Sequence, residues 1–148
     1  MTTATLDLAA APAASDATRS APAPGFANRT PRVLLRLEGL AMLVAAVAGY
    51  VALGERLWLF AALFLVPDVS LLGYLAGPRV GAVVYNAGHS LLGPLVLAGV
   101  GLVVSGPVAL GCALVWVAHI GFDRALGYGL KYGSAFADTH LGRVGRGA

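Results

Sequence analysis

The sequence predicts an all-α fold: an integral membrane four-helix bundle whose helices run alternately up and down. Of the 148 residues, 58% are hydrophobic and only 11% are charged, whereas soluble domains contain about 25% charged residues. A small water-soluble core could not bury this much apolar surface, so lipid must be the solvent. Four successive apolar segments are each long enough to cross a hydrocarbon core of roughly 30 Å at about 1.5 Å per helical residue. Short links join these segments, which makes neighbouring helices antiparallel.

The four predicted helices are separated by short turn signals that contain Gly or Pro. The turns are Gly54-Glu55-Arg56, Gly77-Pro78-Arg79 and Ser105-Gly106-Pro107, and Pro67-Asp68 interrupts the second helix. The helices are predicted at about residues 33–53, 57–76, 80–104 and 107–126.

The two ends of the chain differ from the helical region in composition. Residues 1–30 are rich in Ala, Pro, Ser and Thr, which predicts a disordered tail. Residues 127–148 follow the fourth helix and are predicted to form a cytoplasmic or interfacial segment.

The distribution of Lys and Arg predicts the orientation of the bundle. Arg56 is the only basic residue on one side of the predicted membrane, so both termini are predicted to lie on the other, cytoplasmic side. The net charge of +3 is small and the basic residues are scattered, which argues against nucleic-acid binding. The predicted partner is the lipid bilayer. The nine residues on the cytoplasmic side are Arg19, Arg29, Arg32, Arg36, Arg79, Arg124, Lys131, Arg143 and Arg146.

Polar residues within the helices are predicted to meet at a common depth. Counting about 1.5 Å per residue from the helix ends, Asp68 lies about 14 Å from the inner face, His89 about 13 Å and His119 about 12 Å. Nearer the cytoplasm are Glu38, Asn86 and Asp123. An ionisable side chain in the bilayer costs several kcal/mol unless it is paired or hydrated. These side chains are therefore predicted to face the bundle interior or a cavity open to the cytoplasm.

The chemistry of these side chains is that of a mixed nitrogen and oxygen metal site. His119 and Asp123 are four residues apart and share one helical face, while Asn86 and His89 are three apart and share another. Two imidazoles and two carboxylates suit Zn²⁺, Mn²⁺ or Fe²⁺, and a bound metal could activate water for hydrolysis. The predicted metal ligands are Asp68, His89, His119, Asp123 and, as a fifth, His140.

Other functions of the same residues remain open. The spacing in "HIGFD" resembles the last motif of the membrane phosphatidic-acid phosphatases, which implies that His119 attacks phosphorus, Asp123 orients it and His89 protonates the leaving group. The Ser-Arg and Lys/Arg-Pro elements of that family are missing. A proton or cation relay is a further alternative, which would need a homo-oligomer because four helices are few for a transporter. Alternatively, the polar cluster only fixes helix packing.

The phrases "LLRLEGL", "FLVPDVSLLGYLAGPRVGAVVYNAGHS" and "HIGFDRALGYGLKYGSAFADTHLGR" resemble an uncharacterised bacterial family of small membrane proteins, domain of unknown function 4260. The resemblance covers roughly residues 31–146 and implies a compact multi-span protein without an established activity. The predicted location is the inner (plasma) membrane. The recurrent polar positions of the family correspond to Arg36, Glu38, Asp68, Asn86, His89, His119, Asp123, Arg124, Lys131, Asp138 and His140.

Together, these observations lead to the hypothesis of a metal-dependent membrane enzyme, a hydrolase of a lipid-like or amphiphilic substrate. The alternatives are a non-enzymatic membrane protein and a small proton- or cation-binding protein. The sequence leaves open whether Lys131, Asp138 and His140 fold back onto the polar site or lie along the membrane surface.

Overall fold

The computed structural model of the chain describes residues 29–104 and 106–144. Within these ranges, four helical segments are long and apolar enough to span a membrane, and they pack against one another. The predicted all-α up-down bundle is therefore confirmed. The predicted disordered tail, residues 1–30, lies outside the described residues except for Arg29 and Thr30, which begin the first helix. The four spans are Thr30–Ala52, Leu57–Ala76, Pro78–Val103 and Pro107–Leu126.

Two of the four spans are single α-helices and two are composite. The first span is helix α1 and the fourth is helix α5. The second consists of α2 followed by a 3₁₀ helix, and the third consists of α3 followed by α4. The bounds are α1 Arg29–Ala52, α2 Leu57–Phe64, the 3₁₀ helix Val66–Ala76, α3 Pro78–His89, α4 Leu92–Val103 and α5 Pro107–Leu126.

Proline accounts for both discontinuities. Pro67 lies in the first turn of the 3₁₀ helix, where a missing N–H costs nothing, and the Asp68 N–H bonds the Leu65 carbonyl three residues back. In the third span, Pro94 could not donate to the carbonyl of Ser90, and its ring would clash with that carbonyl in a continuous helix. Accordingly α3 ends at His89, and Ser90 adopts an extended conformation.

Helix α5 forms the centre of the bundle and packs against α1, α2 and α4. Its approach to α1 is close because glycines face one another: a Cβ atom added to Gly121 would lie 2.8 Å from the Gly39 carbonyl oxygen. Large apolar side chains elsewhere point outward, with Leu75 88% exposed and Val103 85% exposed. This outward apolar surface is what a lipid-facing bundle requires.

The chain turns sharply after α5 and folds back onto the bundle. Gly127 adopts the left-handed conformation with φ of 97°, its N–H bonds the Arg124 carbonyl, and the Tyr128 N–H bonds the Asp123 carbonyl, as in a Schellman motif. A short antiparallel hairpin follows, with strands β1 Asp138–Thr139 and β2 Gly142–Arg143.

Candidate metal centre

Four side chains from three spans converge inside the bundle. One ligand atom from each of Asp68, His89, His119 and Asp123 lies within 4.8 Å of all the others. Asp68 comes from the 3₁₀ helix, His89 from the end of α3, and His119 and Asp123 from α5. We call these four residues the His/Asp cluster. Both discontinuities of the bundle thus lie beside a member of the cluster.

The distances within the cluster centre on the Nε2 atom of His89. This atom lies 3.1 Å from Nε2 of His119, 3.5 Å from Oδ1 of Asp68 and 3.4 Å from Oδ2 of Asp123. Nε2 of His119 also lies 3.5 Å from Oδ1 of Asp68. Both imidazoles therefore present the same nitrogen to the same small space.

The contacts of the other nitrogen of His89 favour one tautomer. Nδ1 lies 3.0 Å from the carbonyl oxygen of Tyr85 and 3.4 Å from the Ser70 hydroxyl. Because the carbonyl can only accept, these contacts favour the ring in which Nδ1 carries the proton and donates. In the neutral ring Nε2 therefore bears a lone pair. That lone pair faces two carboxylates, and a cation between them, or a proton donated by Nε2 of His119 at 3.1 Å, relieves the repulsion. A metal-bound histidine has this same pattern, with one nitrogen on the metal and the other donating to a carbonyl.

Aromatic side chains hold the cluster in place. The Tyr85 hydroxyl donates to Oδ2 of Asp123 at 3.0 Å, and the Tyr85 ring stacks on His89 with 3.7 Å between ring centroids. The Phe64 ring packs edge-on against His119 at 5.4 Å. Nδ1 of His119, by contrast, is buried without a hydrogen-bond partner among the described residues. His89 is thus held by both stacking and polar contacts, whereas the Nδ1 edge of His119 has packing contacts alone among the described residues.

The two histidines are sealed from solvent, but the carboxylates are not. His89 is 3% exposed and His119 1%, whereas the Asp68 side chain is 37% exposed. Asp68 and Asp123 line a cavity of about 210 Å³, whose other walls include Tyr85 and the C-terminal segment. Any ligand of the cluster would enter from this carboxylate side. The lining residues are Asp68, Leu71, Tyr85, Asp123, Tyr128, Lys131 and Phe136.

The sequence of the chain matches the model of a known protein family. The family model described as domain of unknown function (DUF4260) matches residues 32–144. The chain belongs to this family. The match covers both the bundle and the C-terminal hairpin, which makes them parts of one DUF4260 domain. No curated protein and no solved structure matches the sequence, so no activity is transferred from a relative.

Several polar residues singled out in the sequence lie outside the cluster of this DUF4260 protein. Glu38 is exposed on α1. Arg124, on α5, donates to the sulfur of Met42 on α1 at 3.8 Å. Arg36 donates to the carbonyl of Leu126 at the end of α5. Arg36 and Arg124 thus connect α1 and α5 near the end of the bundle where α5 finishes.

The C-terminal polar residues hold the hairpin rather than the cluster. Nδ1 of His140 accepts from the Leu130 N–H at 2.8 Å, so this predicted fifth ligand is not among the grouped atoms. Burial lowers the pKa of His140, which favours the neutral ring that accepts this bond. Asp138 accepts from the Ser134 hydroxyl at 2.7 Å and lies 3.8 Å from Arg143.

Asn86 has a different role from the one its depth suggested. Its side-chain amide donates to the Lys131 carbonyl at 2.9 Å and accepts from the Lys131 N–H at 2.7 Å. This reciprocal pair fastens the C-terminal segment to α3. The sequence interpretation missed Tyr85, although its position four residues before His89 puts it on the same helical face.

Proposed function

We propose that this DUF4260 protein is a metal-dependent membrane enzyme in which the His/Asp cluster binds one divalent ion: Zn²⁺, Mn²⁺ or Fe²⁺. The observation that carries the proposal is the convergence of four ligand atoms within 4.8 Å inside a lipid-embedded bundle. Two imidazoles and two carboxylates are a ligand set that these metals accept. A divalent cation would also neutralise both aspartates, which are costly within a membrane.

The proposed reaction is hydrolysis of an amphiphilic substrate. A bound metal lowers the pKa of a coordinated water and polarises the bond to be cleaved. Access from the cavity on the carboxylate side supports a reactive rather than a purely structural metal. Tyr85 would keep Asp123 oriented, and the buried faces of His89 and His119 would exclude water from the rest of the site.

A second candidate is a metal-free cluster that fixes helix packing or carries a proton. The 3.1 Å separation of the two Nε2 atoms suits a hydrogen bond in which one ring donates to the other. On this alternative the aspartates compensate a shared positive charge, and removal of one histidine lowers stability without any change in metal content.

The proposal includes an orientation in the bacterial inner membrane, with both termini and the cavity on the cytoplasmic side. The predicted topology assigns nine basic residues to that side and only Arg56 to the other, and this asymmetry supports the proposed orientation. The substrate would then reach the cluster from the cytoplasm or from the inner leaflet.

Elemental analysis of the full-length protein, purified in detergent without a His-tag or chelator, tests the proposal. The wild type is expected to hold about one equivalent of Zn, Mn or Fe, since the part of the chain that the structure describes contains one set of four ligands. His119→Ala should lose the metal, because it removes a ligand. His140→Ala is the matched control and should keep it, because the His140 ring accepts from the Leu130 N–H and is not in the group of four ligand atoms.

Asp68→Asn is a second variant that should remain folded, because the change is isosteric and Asp68 is only half-buried. This variant should also bind less metal while melting normally in detergent. A wild type without metal after incubation with Zn²⁺, Mn²⁺ and Fe²⁺, or equal metal in all variants, would rule out the metal enzyme.

A further inference from the structure

Lys131 is the only lysine in the sequence, and it lies in an unusual environment. The residue is 4% exposed, and its Nζ atom has no hydrogen-bond partner among the described residues. Aromatic rings lie beside it: Nζ is 4.1 Å from the centroid of the Phe136 ring and 5.2 Å from that of Tyr85. Burial lowers the pKa of Lys131, and the negative charge of Asp123 opposes that shift. An ammonium group buried without hydrogen bonds is costly unless a ligand completes it.

Hydrogen bonds on two sides fix the backbone at Lys131. Two hydrogen bonds to the Asn86 amide fix it to α3, and a bridge to Thr139 fixes it to the hairpin. Thr139 is itself fully buried and donates to the Gly142 carbonyl at 2.7 Å. The ammonium is therefore kept in position by the fold rather than by a salt bridge.

The position that results is the wall of the cavity beside the His/Asp cluster. Lys131, Asp68 and Asp123 line the same space of about 210 Å³. Without a metal, the two carboxylates would repel an anion from this space. A divalent ion on the cluster would balance both carboxylates and leave the charge of Lys131 in excess.

We propose that this cavity binds an oxyanion, a phosphate or carboxylate group of the substrate, between the Lys131 ammonium and the metal-loaded His/Asp cluster. This inference rests on the proposed metal site. It narrows the substrate class to an amphiphile with an anionic head group, and it gives Lys131 the part of a point-charge anion contact. Binding of the oxyanion should depend on both the metal and the ammonium.

Calorimetry with inorganic phosphate tests the inference on the metal-loaded, detergent-solubilised full chain. Lys131→Met removes the ammonium but keeps an unbranched apolar stem, and it is expected to weaken phosphate binding by about tenfold or more. Arg79→Met is the matched control, because Arg79 is exposed and lies outside the cavity. Metal content is measured in every sample. Equal phosphate affinity in Lys131→Met and the wild type would overturn the inference.

A second readout avoids substitution altogether. Lysine labelled with ¹³C at Cε gives a single side-chain signal, because Lys131 is the only lysine. Phosphate should shift this signal in the metal-loaded protein and leave it unchanged in the metal-free protein. Absence of a shift at saturating phosphate in a metal-loaded sample would refute oxyanion binding while leaving the metal site intact. Absence of metal from the wild type would instead refute the proposed function.

The source of the oxyanion is separated by parallel titrations in nanodiscs. Inorganic phosphate and acetate represent small soluble ligands, and phosphatidic acid in a phosphatidylcholine bilayer represents a lipid head group. A shift of the Lys131 signal with phosphatidic acid but not with phosphatidylcholine alone would support a lipid substrate. A shift with the soluble ions only would support a soluble substrate, and a shift with none would overturn the proposal.

Discussion

Tyr85 shows how one residue supports the candidate metal centre without being a ligand. Its hydroxyl donates to Asp123 at 3.0 Å, its carbonyl accepts from His89, and its ring stacks on the His89 imidazole. Such outer contacts orient ligands and raise their affinity for a metal. The hydroxyl is the only one of these contacts that a substitution by Phe would remove.

Tyr85→Phe is therefore expected to weaken metal affinity by about 10- to 100-fold, as is typical when an outer hydrogen bond is lost. Competition with a metallochromic chelator measures the change. Tyr74→Phe is the matched control, because the Tyr74 hydroxyl is buried without a hydrogen-bond partner among the described residues. If both variants bound metal as tightly as the wild type, Tyr85 would have no part in orienting Asp123.

Residue depth was the property of the cluster that the sequence could predict. Counting from helix ends places Asp68, His89 and His119 at a similar level, and the structure brings their ligand atoms together with that of Asp123. The same count gave the depth of Asn86 but not its partner, which is the backbone of Lys131, 45 residues later. Contacts of that kind depend on how the C-terminal segment folds. The helical periodicity of the sequence does not predict that fold.

At the scale of the helices, glycine sets the distance between α1 and α5. A Cβ atom added to Gly121 would lie 2.7 Å from the Leu43 nitrogen and 2.8 Å from the Gly39 carbonyl oxygen. Both neighbours are backbone atoms, so the helices would have to separate to admit a methyl group. Small residues at helix contacts are the usual means by which membrane helices pack closely.

Gly121→Ala is thus expected to lower stability by about 1–3 kcal/mol, the typical cost of overpacking, and to lower the melting temperature in detergent. Gly99→Ala, on α4, should cause no such loss, because nothing lies within 4 Å of its added Cβ atom. Thermal unfolding followed by circular dichroism compares the two. Similar melting of both variants would show that the α1–α5 contact is looser than described.

The third span shows why element boundaries were harder to predict than element order. Hydropathy predicts one helix over residues 80–104, since the segment is apolar throughout. The structure instead ends α3 at His89, because Pro94 acts on the carbonyl four residues before it. The break places His89 at a helix end, where its ring can turn towards α5. Pro94 thereby determines the end of α3, although it lies five residues after His89 and a search for turn residues at the break would not find it.

At the scale of the whole molecule, the C-terminal segment closes one end of the bundle. The sequence left open whether Lys131, Asp138 and His140 fold back onto the polar site. Lys131 does line the cavity beside the cluster, whereas Asp138 and His140 bond to neighbours in the C-terminal segment. The cavity is consequently walled by both the spans and the hairpin region. The side of the membrane on which the segment lies then decides where a substrate would enter.

Cysteine labelling tests the proposed cytoplasmic location of that entrance. In a Cys112→Ala background, Arg56→Cys and Ser134→Cys place one thiol at each end of the bundle, and both positions are exposed. Arg56 is the single basic residue predicted on its side of the membrane. Its substitution therefore increases the charge asymmetry that sets the orientation and cannot reverse it. A membrane-impermeant maleimide should label Arg56→Cys in intact cells. It should label Ser134→Cys only after the membrane is opened. The reverse pattern would place the cavity and Lys131 outside the cell, and the anionic substrate would then have to be an extracytoplasmic one.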